Sequence, residues 1–190
     1  VSTQSTGKIK MTQNINITIV GVGAVGKSTI TLRFIRNKFV KVYEPTREEL
    51  NRKQLNVDGQ SQMLDILDTG GQEEFAALRD IQMIRGDGFV IVYAIDNQVS
   101  FEEVRNFHAR IVDVKQKRFP CILVANKYDL EEARVVTTKM GVKLAKELEC
   151  LFIESSAKTN MNIAEIFVNL VKEIQKQKPA KGGKRGCGTN

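Results

Sequence analysis

Short apolar runs alternate with stretches of helical periodicity along this chain. Ile15, Ile17, Ile19 and Val20 mark a strand ending at a glycine-rich turn, and Ile30, Leu32, Phe34 and Ile35 then recur at helical spacing. Leu50–Val57 and Gln62–Leu67 read as two strands joined at Asp58-Gly59, a dipeptide that supplies the positive φ angles of a tight hairpin. Phe89–Ile95 and Cys121–Ala125 are near-continuous β-rich apolar runs, as expected of strands buried on both faces, and Leu151–Ile153 is a shorter one. Between them, Ser100-Phe101-Glu102-Glu103 reads as a capping box opening a helix. A second helix is expected from about Thr137 to Leu148, and a last one follows Ile163, Ile166, Phe167, Leu170, Val171 and Ile174. This alternation predicts one α/β domain over residues 14–177. Its sheet should be mostly parallel and six-stranded, with one antiparallel edge strand from the hairpin and helices on both faces. Residues 1–13 read as a flexible extension and 178–190 as a flexible basic tail, with Pro179 stopping the helix.

Composition narrows the partners. With 42% hydrophobic and 27% charged residues the chain can bury a core. Its net charge of +7 nominally suits an anionic partner. Part of that excess sits in Lys172, Lys176, Lys178, Lys181, Lys184 and Arg185, so the basic character belongs to an appendage that suits an anionic membrane surface. Nucleic acid is not expected, because no RNA-binding motif or aromatic stacking platform appears. Cys121, Cys150 and Cys187 lack C-x-x-C spacing, and the first two read as buried reduced thiols in a reducing compartment. His108 reads as surface filler without ligand partners, and no His/Cys metal cluster or Ser-His-Asp set is visible. Val1–Gln13 lacks the apolar core of a secretion signal, and no run approaches the ~20 apolar residues of a membrane span. A cytoplasmic monomer is expected, with its tail at the cytoplasmic face of a membrane.

The chemistry is concentrated at strand ends, where doubly wound sheets bind ligands. Gly21-Val22-Gly23-Ala24-Val25-Gly26-Lys27-Ser28 matches G-x-x-x-x-G-K-[ST] between a strand and a helix, which makes this a P-loop nucleotide-binding domain. Its glycines let successive N–H groups face phosphate oxygens, and the helix beginning at Gly26–Lys27 adds its positive end. Lys27 is expected to reach the β- and γ-phosphates, and Ser28 to coordinate Mg2+. Asn126-Lys127-Tyr128-Asp129 selects the base. An acceptor-only carboxylate at Asp129 can take both N1–H and the 2-amino group of guanine, a pair adenine lacks. Asn126 can brace the P-loop side while the Lys127 stem packs along the base. The Ser155-Ser156-Ala157-Lys158 loop offers backbone N–H groups to guanine O6. Asp68 would hold a Mg2+-bound water, the Gly71 N–H would meet the γ-phosphate, and Gln72 would orient the attacking water. In Tyr43-Glu44-Pro45-Thr46 a hydroxyl can join Ser28 on the metal when a γ-phosphate is present, and Phe39 can cover the base.

These motifs, in this order, resemble the Ras family of small GTPases over roughly residues 14–177. The resemblance implies a GTP/GDP switch in intracellular signalling with slow, Mg2+-dependent hydrolysis. A scaffold that binds GTP without significant hydrolysis is the alternative. The resemblance assigns catalysis to Gln72, Lys27 and Thr46, and metal binding to Ser28, Thr46 and Asp68. Nucleotide contacts would come from Gly23, Ala24, Val25, Gly26, Lys27, Ser28, Thr29, Phe39, Val40, Lys41, Tyr43, Pro45, Thr46, Asp68, Gly71, Asn126, Lys127, Asp129, Ser156, Ala157 and Lys158. Phe39 is similar to the residue that stacks on guanine, Val40 and Lys41 to the ribose contacts. Thr46 would mark switch I and residues 68–78 switch II. A nucleotide-exchange factor, a GTPase-activating protein and effectors would bind through residues 43–52 and 68–78. The chain departs from the family where Gly70 replaces the usual Ala and Ala24 the usual Gly. Its segment Thr46-Arg47-Glu48-Glu49-Leu50-Asn51 also differs from that of Ras itself, and Cys187 lacks the aliphatic pair of a prenylation signal.

Overall fold

The computed structural model describes residues 14–39, 48–69 and 76–177. Its strands are β1 (Ile15–Val20), β2 (Glu48–Val57), β3 (Gln60–Thr69), β4 (Gly88–Ala94), β5 (Cys121–Asn126) and β6 (Leu151–Glu154). Its helices are α1 (Lys27–Arg36), α2 (Ala76–Arg85), α3 (Gln98–Glu102), α4 (Val104–Lys115), α5 (Thr138–Glu147) and α6 (Ile163–Gln177), with a 3-10 helix over Tyr128–Ala133. The strands form one six-stranded sheet in the order β2-β3-β1-β4-β5-β6. Only β2 pairs antiparallel, at the edge, as the hairpin predicts. Asp58 and Gly59 take φ angles of 49° and 77° at the turn, the left-handed pair that matches the twist of two joined strands.

Burial follows the apolar runs. All residues of β4 and β5 are buried, because helices cover both faces of these central strands. One core joins alternate residues of β1 and β4 to α1 and α6. The other joins the opposite residues of β4 and β5 to α4 and α5. Ile163, Ile166, Phe167, Leu170, Val171 and Ile174 form the buried face of α6. On it Phe167 stacks against Phe34 of α1 with ring centroids 3.9 Å apart, a contact worth about 0.5–1.5 kcal/mol beyond its area. Thr137 caps α5, its hydroxyl accepting from the Met140 N–H at 3.3 Å. Among the described residues no helix is long and apolar enough to cross a membrane.

Three expectations need correction. The helix cap before α3 is Asn97, whose side chain accepts from the Ser100 N–H at 2.9 Å. Ser100 is buried instead, its hydroxyl bonded to the Asn97 carbonyl at 2.7 Å and accepting from the Ala94 N–H at 3.0 Å. Two polar candidates stood three residues apart, and the one nearer the strand end took the cap. Second, Cys121 and Cys150 are joined in a disulfide with Cα atoms 5.1 Å apart. The parallel register pairs Ile122 with Leu151, so the residue preceding each is its cross-strand neighbour. Cysteine usage therefore does not argue for reduced thiols or for a reducing compartment. Third, His108 is not surface filler. It is half-buried on α4, 5.4 Å from the Phe119 ring between centroids, and it lies beside both cysteines.

Candidate functional site

The glycine loop leaves β1 beneath the ends of the central strands, and its backbone explains its sequence. Gly21 has φ 147°, and a Cβ there would run into the Val92 carbonyl oxygen. Gly26 has φ 97°, and a Cβ there would strike the Asn126 amide. Both positions thus require glycine on two grounds, conformation and approach. Gly26 is the residue from which α1 starts, and no side chain caps the first turn. The N–H groups of that turn and the positive end of the helix consequently face the loop. Lys27 is only 6% exposed. Its ammonium donates to the Gly21 and Val22 carbonyl oxygens, both at 2.8 Å, which holds the cation across the loop. Gly23 and Ala24 are exposed, Val25 is buried in the core, and Ser28 and Thr29 are half-buried on α1.

Asn126 ends β5 and is 2% exposed. Its amide donates to the Val25 carbonyl oxygen at 2.8 Å. Its oxygen accepts from Ser155 Oγ at 3.2 Å and from the Ala157 N–H at 3.4 Å. One side chain therefore joins the glycine loop, the 126–129 loop and the 155–158 loop. Asp129 is placed by the same loops: Oδ1 accepts from Ser156 Oγ at 2.5 Å, and Oδ2 lies 3.5 Å from Lys158 Nζ. Lys127 adopts φ 68°, and its ammonium lies 3.4 Å from Asp96. Asp68 lies 2% exposed near the end of β3, paired in register with Ile19 of β1, and so close in the sheet to where the glycine loop begins.

Arg33 was not anticipated. From α1 its Nε donates to the Ala157 carbonyl oxygen at 2.8 Å and Nη2 to the Lys158 carbonyl oxygen at 2.6 Å. The guanidinium also sits 5.9 Å from the centre of the half-buried Phe39 ring. An arginine in the last turn of a helix carries a signal only for the helix dipole, so its bridge to residues over a hundred positions away was not legible. Val40, Lys41, Tyr43, Pro45, Thr46, Gly70, Gly71 and Gln72 lie outside the described residues.

The carboxylate and hydroxyl of Asp68 and Ser28 are hard oxygen donors of the kind Mg2+ takes, and they belong to adjacent elements. The donor set fits that ion. The cradle as a whole presents N–H groups, a fixed ammonium and a positive helix end on one side, and an oriented carboxylate on the other. That combination suits a polyphosphate attached to a base with adjacent N–H donors.

The Ras family model matches residues 16–176. The chain is 48% identical to Ras-like protein rasS of Dictyostelium discoideum, over 86% of this chain and 84% of that protein. It is 44% identical to Protein ras-1 of Neurospora crassa, over 93% of this chain and 84% of that protein. It is 47% identical to Ras-like protein 2 of Mucor circinelloides, over 87% of this chain and 84% of that protein. Similarity of this extent, across the segment that builds the cradle, makes the chain a member of the Ras family and a GTP hydrolase.

Proposed function

We propose that this GTP-binding switch recognises guanine through Asp129, holds the β- and γ-phosphates with the Gly21–Ser28 loop and Lys27, and hydrolyses GTP slowly with Mg2+. The observation that carries the reading is the Asn126 junction. One buried side chain ties a phosphate-binding loop to a base-binding loop, so phosphate and base contacts are set at a fixed separation. Ser28 and Thr46 would hold Mg2+ directly, with Asp68 acting through a water. When bound there the ion neutralises charge on the β- and γ-phosphoryl oxygens.

The chain's own groups do the rest. Lys27, already desolvated, brings its charge to the phosphates at no further cost of burial. Asp129 is pre-oriented by the Ser156 hydroxyl, so its two oxygens meet the guanine edge without reorganisation. Gln72 orients the attacking water, and Gly71 offers its N–H to the γ-phosphate. No arginine stands before Thr46 as a built-in finger. Turnover alone should therefore lie in the range known for Ras itself, about 10⁻⁴–10⁻³ per second, and a partner's arginine would accelerate it up to ~10⁵-fold. Exchange factor, activating protein and effectors would meet residues 43–52 and 68–78. The basic tail would add weak, salt-sensitive affinity for anionic membranes, about 1 kcal/mol per residue near the surface.

The test is direct. Nucleotide released from purified protein by denaturation is expected to be GDP or GTP. Single-turnover hydrolysis should need Mg2+ and be slowed by Gln72→Leu with GTP affinity within a few fold. Bound adenine nucleotide, or a Gln72→Leu protein as active as the original, would overturn the reading.

A further inference from the structure

The end of the sheet remote from the phosphate loop carries a second chemical centre. Cys121 opens β5, Cys150 immediately precedes β6, and His108 projects from the middle of α4. Their ligand atoms, two Sγ and one imidazole nitrogen, all lie within 4.8 Å of one another. Cys121 is 3% exposed, and His108 and Cys150 are half-buried. Phe119 packs against the imidazole and edge-on against Phe89, so the cluster has an apolar wall on one side.

We propose that these three residues form a redox-gated site for a soft divalent ion, zinc foremost, distinct from the Mg2+ and nucleotide site. Two thiolates and an imidazole are the donor set that selects such an ion over Mg2+. Ligand atoms about a tetrahedral ion with bonds of about 2.0–2.3 Å stand about 3.5–3.8 Å apart. The three atoms reach that spacing by side-chain rotation once the sulfurs separate, and the fourth position would hold water. The disulfide and the metal site exclude each other. Opening the disulfide takes two electrons and two protons from a dithiol, which leaves as its own disulfide. The ion then displaces both thiol protons to solvent, while neutral His108 contributes a lone pair. In either state β5 is stapled to the chain entering β6; only in the metal state is α4 tied in as well.

Cobalt(II) titration of the full chain tests this, with Cys187→Ser so that only the two cysteines in question remain, and with GDP and excess Mg2+ present. Thiolate-to-cobalt charge transfer reports sulfur ligation alone, and the nucleotide site has no cysteine. The reduced protein should bind one equivalent with thiolate charge-transfer and tetrahedral ligand-field bands, and zinc should displace it. The same protein oxidised to the disulfide should show neither band. Because the two forms share one sequence, this comparison does not depend on a substitution within the proposed site. His108→Ala should weaken binding about tenfold or more and alter the ligand-field bands, while Cys121→Ser and Cys150→Ser should each abolish the two-thiolate spectrum. A reduced protein without charge transfer, an oxidised protein that retains it, or a spectrum indifferent to His108→Ala would overturn the proposal.

Discussion

The Asn126 side chain donates to the Val25 carbonyl oxygen at 2.8 Å while its own oxygen accepts from Ser155 at 3.2 Å. Both partners are buried with it, so the junction between the glycine loop and the base-side loops is closed to water. Removing one partner of a buried hydrogen bond leaves the other unsatisfied, at about 1–3 kcal/mol. Asn126→Ala should therefore loosen both loops together. GDP release, followed with a fluorescent analogue, is expected to quicken by roughly 10- to 100-fold, each tenfold being about 1.4 kcal/mol. Release within about twofold of the original would mean that the loops are held apart from this residue.

The guanine preference proposed for Asp129 can be tested at a carboxylate whose Oδ1 is committed to Ser156 and whose Oδ2 lies near Lys158. In Asp129→Asn an amide donor would face the extra carbonyl of xanthine, while the acceptor for the guanine 2-amino group would be lost. Preference is expected to move from GTP toward xanthosine triphosphate. Competition binding is the measurement, and an unchanged preference for GTP would remove Asp129 from base recognition.

The strands and the antiparallel edge hairpin were legible because their signals are local. Asp58-Gly59 announces a hairpin, and buried runs such as Phe89–Ile95 announce central strands. The glycine loop was legible for the same reason, since its conformation is set within eight consecutive positions. What escaped depends on register between distant segments. The pairing of Ile122 with Leu151 that brings Cys121 to Cys150 appears in neither run alone. His108 looks solitary on its helix until Phe119 and the two cysteines are folded against it. Arg33 is likewise an ordinary helical arginine until the 155–158 loop arrives beneath it. The Asn97-for-Ser100 exchange at the start of α3 is a smaller case, in which burial of the hydroxyl outweighed its capping propensity.

Acid sensitivity should come partly from Asp65. Its carboxylate takes two hydrogen bonds from Arg52, at 2.5 and 3.0 Å, and one from Asn14 at 2.9 Å. The Arg52 hydrogen bond holds its pKa below the usual carboxylate value, partly offset by burial and helped by Asn14. A depressed folded-state pKa gives stability that is present above the unfolded value, near 3.9, and is lost as pH falls through the folded one. Asp65→Asn should thus lower the urea midpoint at pH 6–7, by an amount that shrinks as the pH falls below the ordinary carboxylate range and through the depressed folded-state value. A deficit of equal size at every pH would assign the effect to packing instead of charge.

Ala24 offers a change of the opposite sign. It sits in the glycine loop with φ 62°, in the left-handed region where a Cβ crowds the backbone at a cost of about 1–2 kcal/mol. Glycine adopts that conformation freely, but a glycine also loses about 0.4–1 kcal/mol more conformational entropy on folding. The strain term exceeds the entropy term over most of these ranges, so Ala24→Gly should stabilise the protein by about 1 kcal/mol. For a domain of this size that corresponds to a rise in Tm of about 2–4 °C. Ala24 is exposed, so little packing is given up in exchange. Thermal unfolding of the two proteins under identical nucleotide and Mg2+ conditions provides the comparison, since bound ligand adds its own stabilisation. A lower Tm for Ala24→Gly would show that the alanine methyl group makes a favourable contact outweighing its backbone strain.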